Sequence, residues 1–277
     1  MSTTVTPRAS PPLPAPARFF ERVARTFAGI FGGIGRRAYF VRDIGRALVS
    51  EAGTYLPETI RQMRGIGVGS VPIVVIVAAF LGAVTAFQAY YQLFAGVQLS
   101  VLGLLVRGSI VLELGPLLTS LVLAGRVGAR MTAEIGTMRV TEQIDALETL
   151  AYDPVAYLAV PRILAALVML PALVIIANAT SITTAWLTLI AATPVTTLDY
   201  VTGLRLGFAP FQVVYSLIKA VFFGGAIAFV CSYEGYITGA GAEGVGRSTA
   251  RAVVFSSIAI LVLDALIAAA FAPYITA

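Results

Sequence analysis

Apolar residues in this chain come in long unbroken runs rather than in the alternation of a half-buried surface element. Gly65 to Val106 and Ile163 to Leu198 contain no charged residue, and each exceeds the roughly 20 residues that a helix needs to cross a bilayer. The pattern predicts five spans, at about Val68–Leu93, Leu102–Gly128, Tyr157–Ala191, Phe211–Tyr236 and Ala252–Tyr274. Ahead of them, Phe19, Phe20, Val23, Phe27, Ile30, Phe31 and Ile34 recur near helical spacing among Arg18, Arg22 and Arg25. That is the pattern of a basic amphipathic helix lying in the membrane interface. Residues 1–17, with five prolines among Ser, Thr and Ala, read as a disordered tail. The expected architecture is an all-α membrane protein in three parts: the tail (1–17), an interfacial or elbow helical region (18–64) and a transmembrane domain (65–277).

Composition agrees with the runs. The chain is 58% hydrophobic and 12% charged, about half the charged fraction of a soluble domain. Its net charge of +5 comes almost wholly from arginine, and the arginines sort by loop. Ten precede the first span and none lies between the first two. Arg126, Arg130, Arg139 and Arg162 fall between spans two and three, Arg205 in the next link, and Arg247 and Arg251 in the last. This alternation places the N-terminus in the cytoplasm and the C-terminus outside, and it fits attraction to an anionic leaflet better than nucleic-acid binding. With no histidine and a single cysteine, Cys231, the chain offers no Cys or His zinc site, no internal disulfide and no Ser-His or Cys-His catalytic pair. Cys231 reads as a packing residue, and no catalytic or metal-ligating residue is expected.

Several charges interrupt the apolar runs. Arg107, near the outer end of the second span, has the length to snorkel to the headgroups. Glu113 lies deeper, beside Gly115 and Pro116, which should loosen the helix. An ionisable group at that depth lines a cavity or pairs with a polar group, for instance on another subunit. Lys219, Glu234 and Asp264 are further charges of this kind, for which pairing and packing are expected. Gly224 and Gly225 would permit close helix approach, and Tyr90, Tyr91 and Trp186 read as interfacial anchors.

The stretch from Gly125 to Arg162 holds four arginines and five acids. Val140, Ile144, Leu147 and Ala151 form an apolar stripe, with Glu142, Asp145 and Glu148 beside it. Asp153-Pro154 then looks like an N-cap followed by proline at the first helical position. A short cytoplasmic helix suited to a partner's groove is one reading, and a solvated connector is the other. Gly241, Gly246, Arg247 and Ser248 approach the phosphate-loop spacing, but arginine replaces lysine and the strand–loop–helix context is missing. Gly244, Gly246 and Arg247 are instead expected in a tight cytoplasmic turn.

The segment from Glu113 to Arg162 closely resembles the signature of the MlaE/YrbE permease family, membrane subunits of ABC transporters that work with MCE proteins. Tyr233–Asp264 resembles the family's second signature. The resemblance implies a homodimeric permease in the bacterial inner membrane, moving phospholipid or a related lipid to or from an external MCE-domain protein. It implies that Glu134, Arg139, Glu142, Asp145 and Leu147 contact a cytoplasmic ATPase, which holds the ATP and Mg2+, since no cofactor is expected in this chain. It also implies a lipid path near Glu113, Gly115 and Pro116. The alternative is an ion-gradient-driven transporter of a hydrophobic solute, which would show internal repeats and broken-helix ion sites.

Overall fold

Helix formation follows directly from these apolar runs, because a chain in hydrocarbon must satisfy its own backbone hydrogen bonds. The structure is a computed structural model and describes residues 39–47, 55–94 and 96–275. The expected tail and the amphipathic stretch Phe19–Ile34 lie outside the described residues. Among the described residues there is no strand.

A short helix α1 covers residues 39–47, followed by α2 (Leu56–Ile66). Span one is α3 (Val71–Tyr91), entered through a 3-10 turn at Val68–Ser70. Span two is a single rod made of α4 (Val101–Ser109), a π segment (Ile110–Leu114), α5 (Gly115–Leu123), a second π segment (Ala124–Gly128) and α6 (Ala129–Val140). Then come α7 (Gln143–Thr149), α8 (Pro154–Ala192), α9 (Thr197–Arg205), α10 (Pro210–Tyr236) and α11 (Gly241–Ile275). Among the described residues, five helical segments are long and apolar enough to cross a membrane. The protein is therefore a multi-pass membrane protein.

Helix α8 lies at the centre, with α3 on one side and α10 on the other, and α10 in turn packs on α11 and α6. Small residues permit these approaches. A methyl group on Gly82 would collide with the Ser181 carbonyl, and Ser181 Oγ donates to the Ala78 carbonyl at 2.7 Å. Without a hydrophobic drive between helices in lipid, such close contacts and interhelical hydrogen bonds hold the bundle. Gly224 brings α10 against the Ala166 carbonyl in the same way, whereas a methyl on Gly225 would meet only the end of the Leu167 side chain. Cys231 is buried in this core beside Gly128, as expected of a packing residue.

The arginine-rich ends of the spans gather at one pole, here termed the charged end. It contains the start of α3, the end of α6, α7, the start of α8, the end of α10 and the start of α11. Helix α1 docks there through Phe40, whose ring lies 5.4 Å from that of Tyr233 and 5.9 Å from that of Phe229.

Four expectations need correction. Helix α11 begins at Gly241 instead of near Ala252, because hydropathy reports the apolar run while the helix extends beyond it. Glu243 and Arg247 form an i,i+4 ion pair at 2.6 Å on that polar extension. Gly244, Gly246 and Arg247 are therefore helical, and the turn lies before them, ending at Gly241 with φ +78°. The short helix expected to carry the whole stripe from Val140 to Ala151 is interrupted at Glu142, which takes a left-handed φ of 59°. The link between spans three and four carries an unforeseen helix, α9, closed by a capping box of Thr196 and Asp199.

Candidate functional site

Two clusters of charge stand out, one inside the bundle and one at the charged end. The inner cluster begins with a backbone defect. Pro116 has no N–H, so the Leu112 carbonyl four residues earlier loses the amide that an α-helix would offer it. The rod widens into a π segment at this point, and Glu113 sits within it. Lys219 of α10, nine residues into that helix and about 14 Å along its axis, sends Nζ to the Leu112 carbonyl at 3.2 Å. The same Nζ pairs with Glu113 Oε2 at 2.6 Å and with Asp264 Oδ1 of α11 at 2.7 Å, and it lies 4.8 Å from the centre of the Tyr215 ring.

The three charges differ in exposure. Lys219 is fully buried and Asp264 is 17% exposed, while the Glu113 side chain is 44% exposed. One buried cation thus joins three spans, and one of its two carboxylates faces out of the chain. A buried ion needs such pairing because desolvation costs several kcal/mol per charge. Gly115 lets α8 come close, since a methyl there would collide with the Asn178 side chain. Sequence reasoning singled out Glu113, Lys219 and Asp264 separately but did not join them. The missed signal was Pro116, whose absent donor marks Leu112 for an outside partner.

Arg107 is a correction. It does not snorkel: it is buried, and its guanidinium donates to the carbonyls of Leu204 at 2.5 Å and Gly207 at 3.2 Å. Leu204 lies in the last turn of α9 and Gly207 just beyond it, where a cation meets the favourable end of the helix dipole. Because α9 was not foreseen, neither was this role.

At the charged end, α7 is anchored by one residue. Ile144 is fully buried against Ile135 of α6 and Leu158 of α8, with Leu147 partly buried beside it. Glu142, Gln143, Asp145, Glu148 and Leu150 are exposed, so the helix presents an acidic ridge with an apolar tip. Arg139 braces the ridge from behind, pairing with Asp145 at 2.6 Å and lying 5.9 Å from the Tyr236 ring centre. Asp153 caps α8 as expected, accepting from the amides of Val155 at 2.8 Å and Ala156 at 3.2 Å. Glu134 is not on the ridge: it pairs with Arg130 at 2.7 Å and with the buried Arg162 at 3.5 Å, tying α6 to α8. Of the residues expected to share one contact surface, the structure brings Glu142, Asp145 and Leu147 together, with Arg139 behind them and Glu134 elsewhere.

Residues 59–270 match the family model described as permease MlaE. A probable ABC transporter permease of Rickettsia prowazekii is 43% identical over 217 residues, covering 78% of this chain and 84% of the relative. The intermembrane phospholipid transport system permease protein MlaE of Haemophilus influenzae is 31% identical over 254 residues, covering 91% and 96%. A probable ABC transporter permease of Synechocystis is 39% identical over 210 residues, covering 74% and 78%. The match takes in both charge clusters and nearly all of the five membrane-crossing segments among the described residues, and the chain belongs to the MlaE permease family.

Proposed function

We propose that this permease moves phospholipid, or a related lipid, between the bacterial inner membrane and an external MCE-domain protein. In this reading it works as a homodimer, and the energy comes from ATP and Mg2+ bound by a separate cytoplasmic ATPase. The observation that carries the proposal is the α7 ridge, clamped to the bundle by Ile144 and exposed along its acidic edge. A rigid short helix with acids and an exposed Leu150 suits a groove on a partner. Glu142, Asp145 and Leu147 form the contact, Arg139 holds the ridge in register, and Glu134 passes the motion from α6 to α8. The cargo class comes from the Haemophilus relative, whose name specifies phospholipid transport.

The arginine distribution supports a charged end in the cytoplasm, with the N-terminus inside and the C-terminus outside. Residues 18–64 then serve as an interfacial elbow and 65–277 as the transmembrane domain, with 1–17 a separate tail. The outward-facing carboxylate of Glu113, with Gly115 and Pro116 beside it, lines the lipid path. An acid exposed at that depth faces a cavity or a second subunit rather than hydrocarbon. Co-purification tests the coupling surface. Reversing charge in Glu142→Lys with Asp145→Lys should leave membrane insertion intact and release the ATPase, and unchanged co-purification contradicts the assignment.

A second reading, transport driven by an ion gradient, is favoured by one observation. Glu113, Lys219 and Asp264 form a compact titratable group inside the bundle. Transport that requires the ATPase and ignores the gradient rejects it.

A further inference from the structure

A cavity of about 320 Å³ opens between α2 and the junction of α5 with α6. Its wall carries Arg61 of α2, Arg126 of the second π segment and Arg130 of α6, together with Glu58, Glu134 and Ser70. Both acids are engaged. Glu58 pairs with Arg61 at 3.3 Å and accepts from Gln62 at 2.9 Å, and Glu134 is shared by Arg130 and Arg162.

Arg126 differs from its neighbours. Its guanidinium donates to the Gly69 carbonyl at 2.6 Å, and no carboxylate pairs with it among the described residues. That single bond leaves further N–H groups free for a ligand. Ser70, 1% exposed and on the same wall, has a buried hydroxyl without a hydrogen-bond partner. A buried hydroxyl left unsatisfied is costly, so a missing acceptor at this wall is the simplest completion. The depth is also informative: the cavity lies where the apolar run of α3 begins and the arginines of α2 end.

We propose that this cavity is a phosphate site that holds the headgroup of a phospholipid at the charged-end surface of the membrane. Arg126 provides the forked contact that suits phosphate oxygens and Ser70 adds a neutral donor, while Arg61 and Arg130, held by Glu58 and Glu134, leave Arg126 as the wall's unpaired cation among the described residues. The acyl chains leave along the exposed apolar side of α2 and α3, where Ile60, Val68 and Ile76 face outward. The lipid occupant rests on the cargo proposed above, but its binding requires neither the ATPase nor turnover.

The test uses full-length protein in detergent, with retention of phosphatidylglycerol measured by native mass spectrometry. Diacylglycerol of the same chain length is the phosphate-free control, and inorganic phosphate is the competitor. Wild type should retain phosphatidylglycerol and not diacylglycerol. Arg126→Ala should weaken retention about tenfold, the scale of one charge-assisted partner, and Ser70→Ala should weaken it less. Arg126→Lys, which keeps the charge and loses the fork, should fall between wild type and Arg126→Ala and guards against misfolding of the alanine variant. Equal retention of diacylglycerol, or folded Arg126→Ala and Ser70→Ala variants that bind as wild type, overturns the site. Displacement by millimolar inorganic phosphate overturns the lipid occupant in favour of a soluble phosphate. Binding that survives when ATP-driven transport is absent separates failure of the cargo reading from failure of this one.

Discussion

Pro116 and Lys219 are complementary: the proline removes a donor from the Leu112 carbonyl, and the lysine ammonium replaces it from another helix at 3.2 Å. A defect in one span thereby becomes a fixed contact between two, and Asp264 extends it to a third.

Removing the shared cation should be the most damaging change in this cluster. Lys219→Met leaves two carboxylates without their partner and should cost about 3–5 kcal/mol. Glu113→Gln should cost less, since Lys219 keeps Asp264 and the Leu112 carbonyl as partners. Thermal unfolding of the purified variants checks the order. Equal loss in the two variants contradicts the account of Lys219 as the hub.

Arg107→Ala should free α9 without unfolding the bundle. Two carbonyls lose a charged donor, a loss of about 1.5–3 kcal/mol in local stability. Hydrogen exchange should rise in residues 197–207 and stay unchanged in α8, whereas uniform protection contradicts the assignment.

The same helix should respond to acid. The hydroxyl and amide of Thr196 both donate to the Asp199 carboxylate and hold its pKa below the usual carboxylate value. A depressed folded pKa contributes stability that is fully present above the unfolded value of about 3.9 and is lost as pH falls through the folded one. Exchange across α9 should therefore quicken as pH is lowered below about 4, after correction for the intrinsic rate, and Asp199→Asn should abolish that pH dependence.

Ile144→Ala tests the anchor of α7. Truncating a fully buried isoleucine costs about 2–5 kcal/mol in a well-packed core. Because Ile144 packs mainly on Ile135 and Leu158, the loss should fall on α7 alone. Limited proteolysis between Thr141 and Ala151 should accelerate while the membrane spans stay resistant.

The membrane spans were legible because hydrocarbon imposes a single simple rule on long runs, and Asp153-Pro154 was legible because capping is local. What hydropathy could not show was polar helix. The first turns of α11 and all of α9 carry ordinary charged residues, supported locally by the Glu243–Arg247 pair and the Thr196–Asp199 box. Within the candidate sites, the acids of α7 could be identified from spacing, but the break at Glu142 could not, because a left-handed non-glycine residue is set by tertiary packing. Arg107 and Lys219 were visible as anomalies. Their partners are backbone carbonyls 97 and 107 residues away, and one sequence carries no pattern for such contacts.

The central claim, an ATP-driven lipid permease, is tested most directly by reconstitution. Labelled phospholipid transport is measured in proteoliposomes containing the permease, its ATPase and an MCE-domain acceptor. Transport should require both ATP and the ATPase and should persist when ion gradients are collapsed. Transport that continues without the ATPase and stops when the gradient is removed would contradict the account.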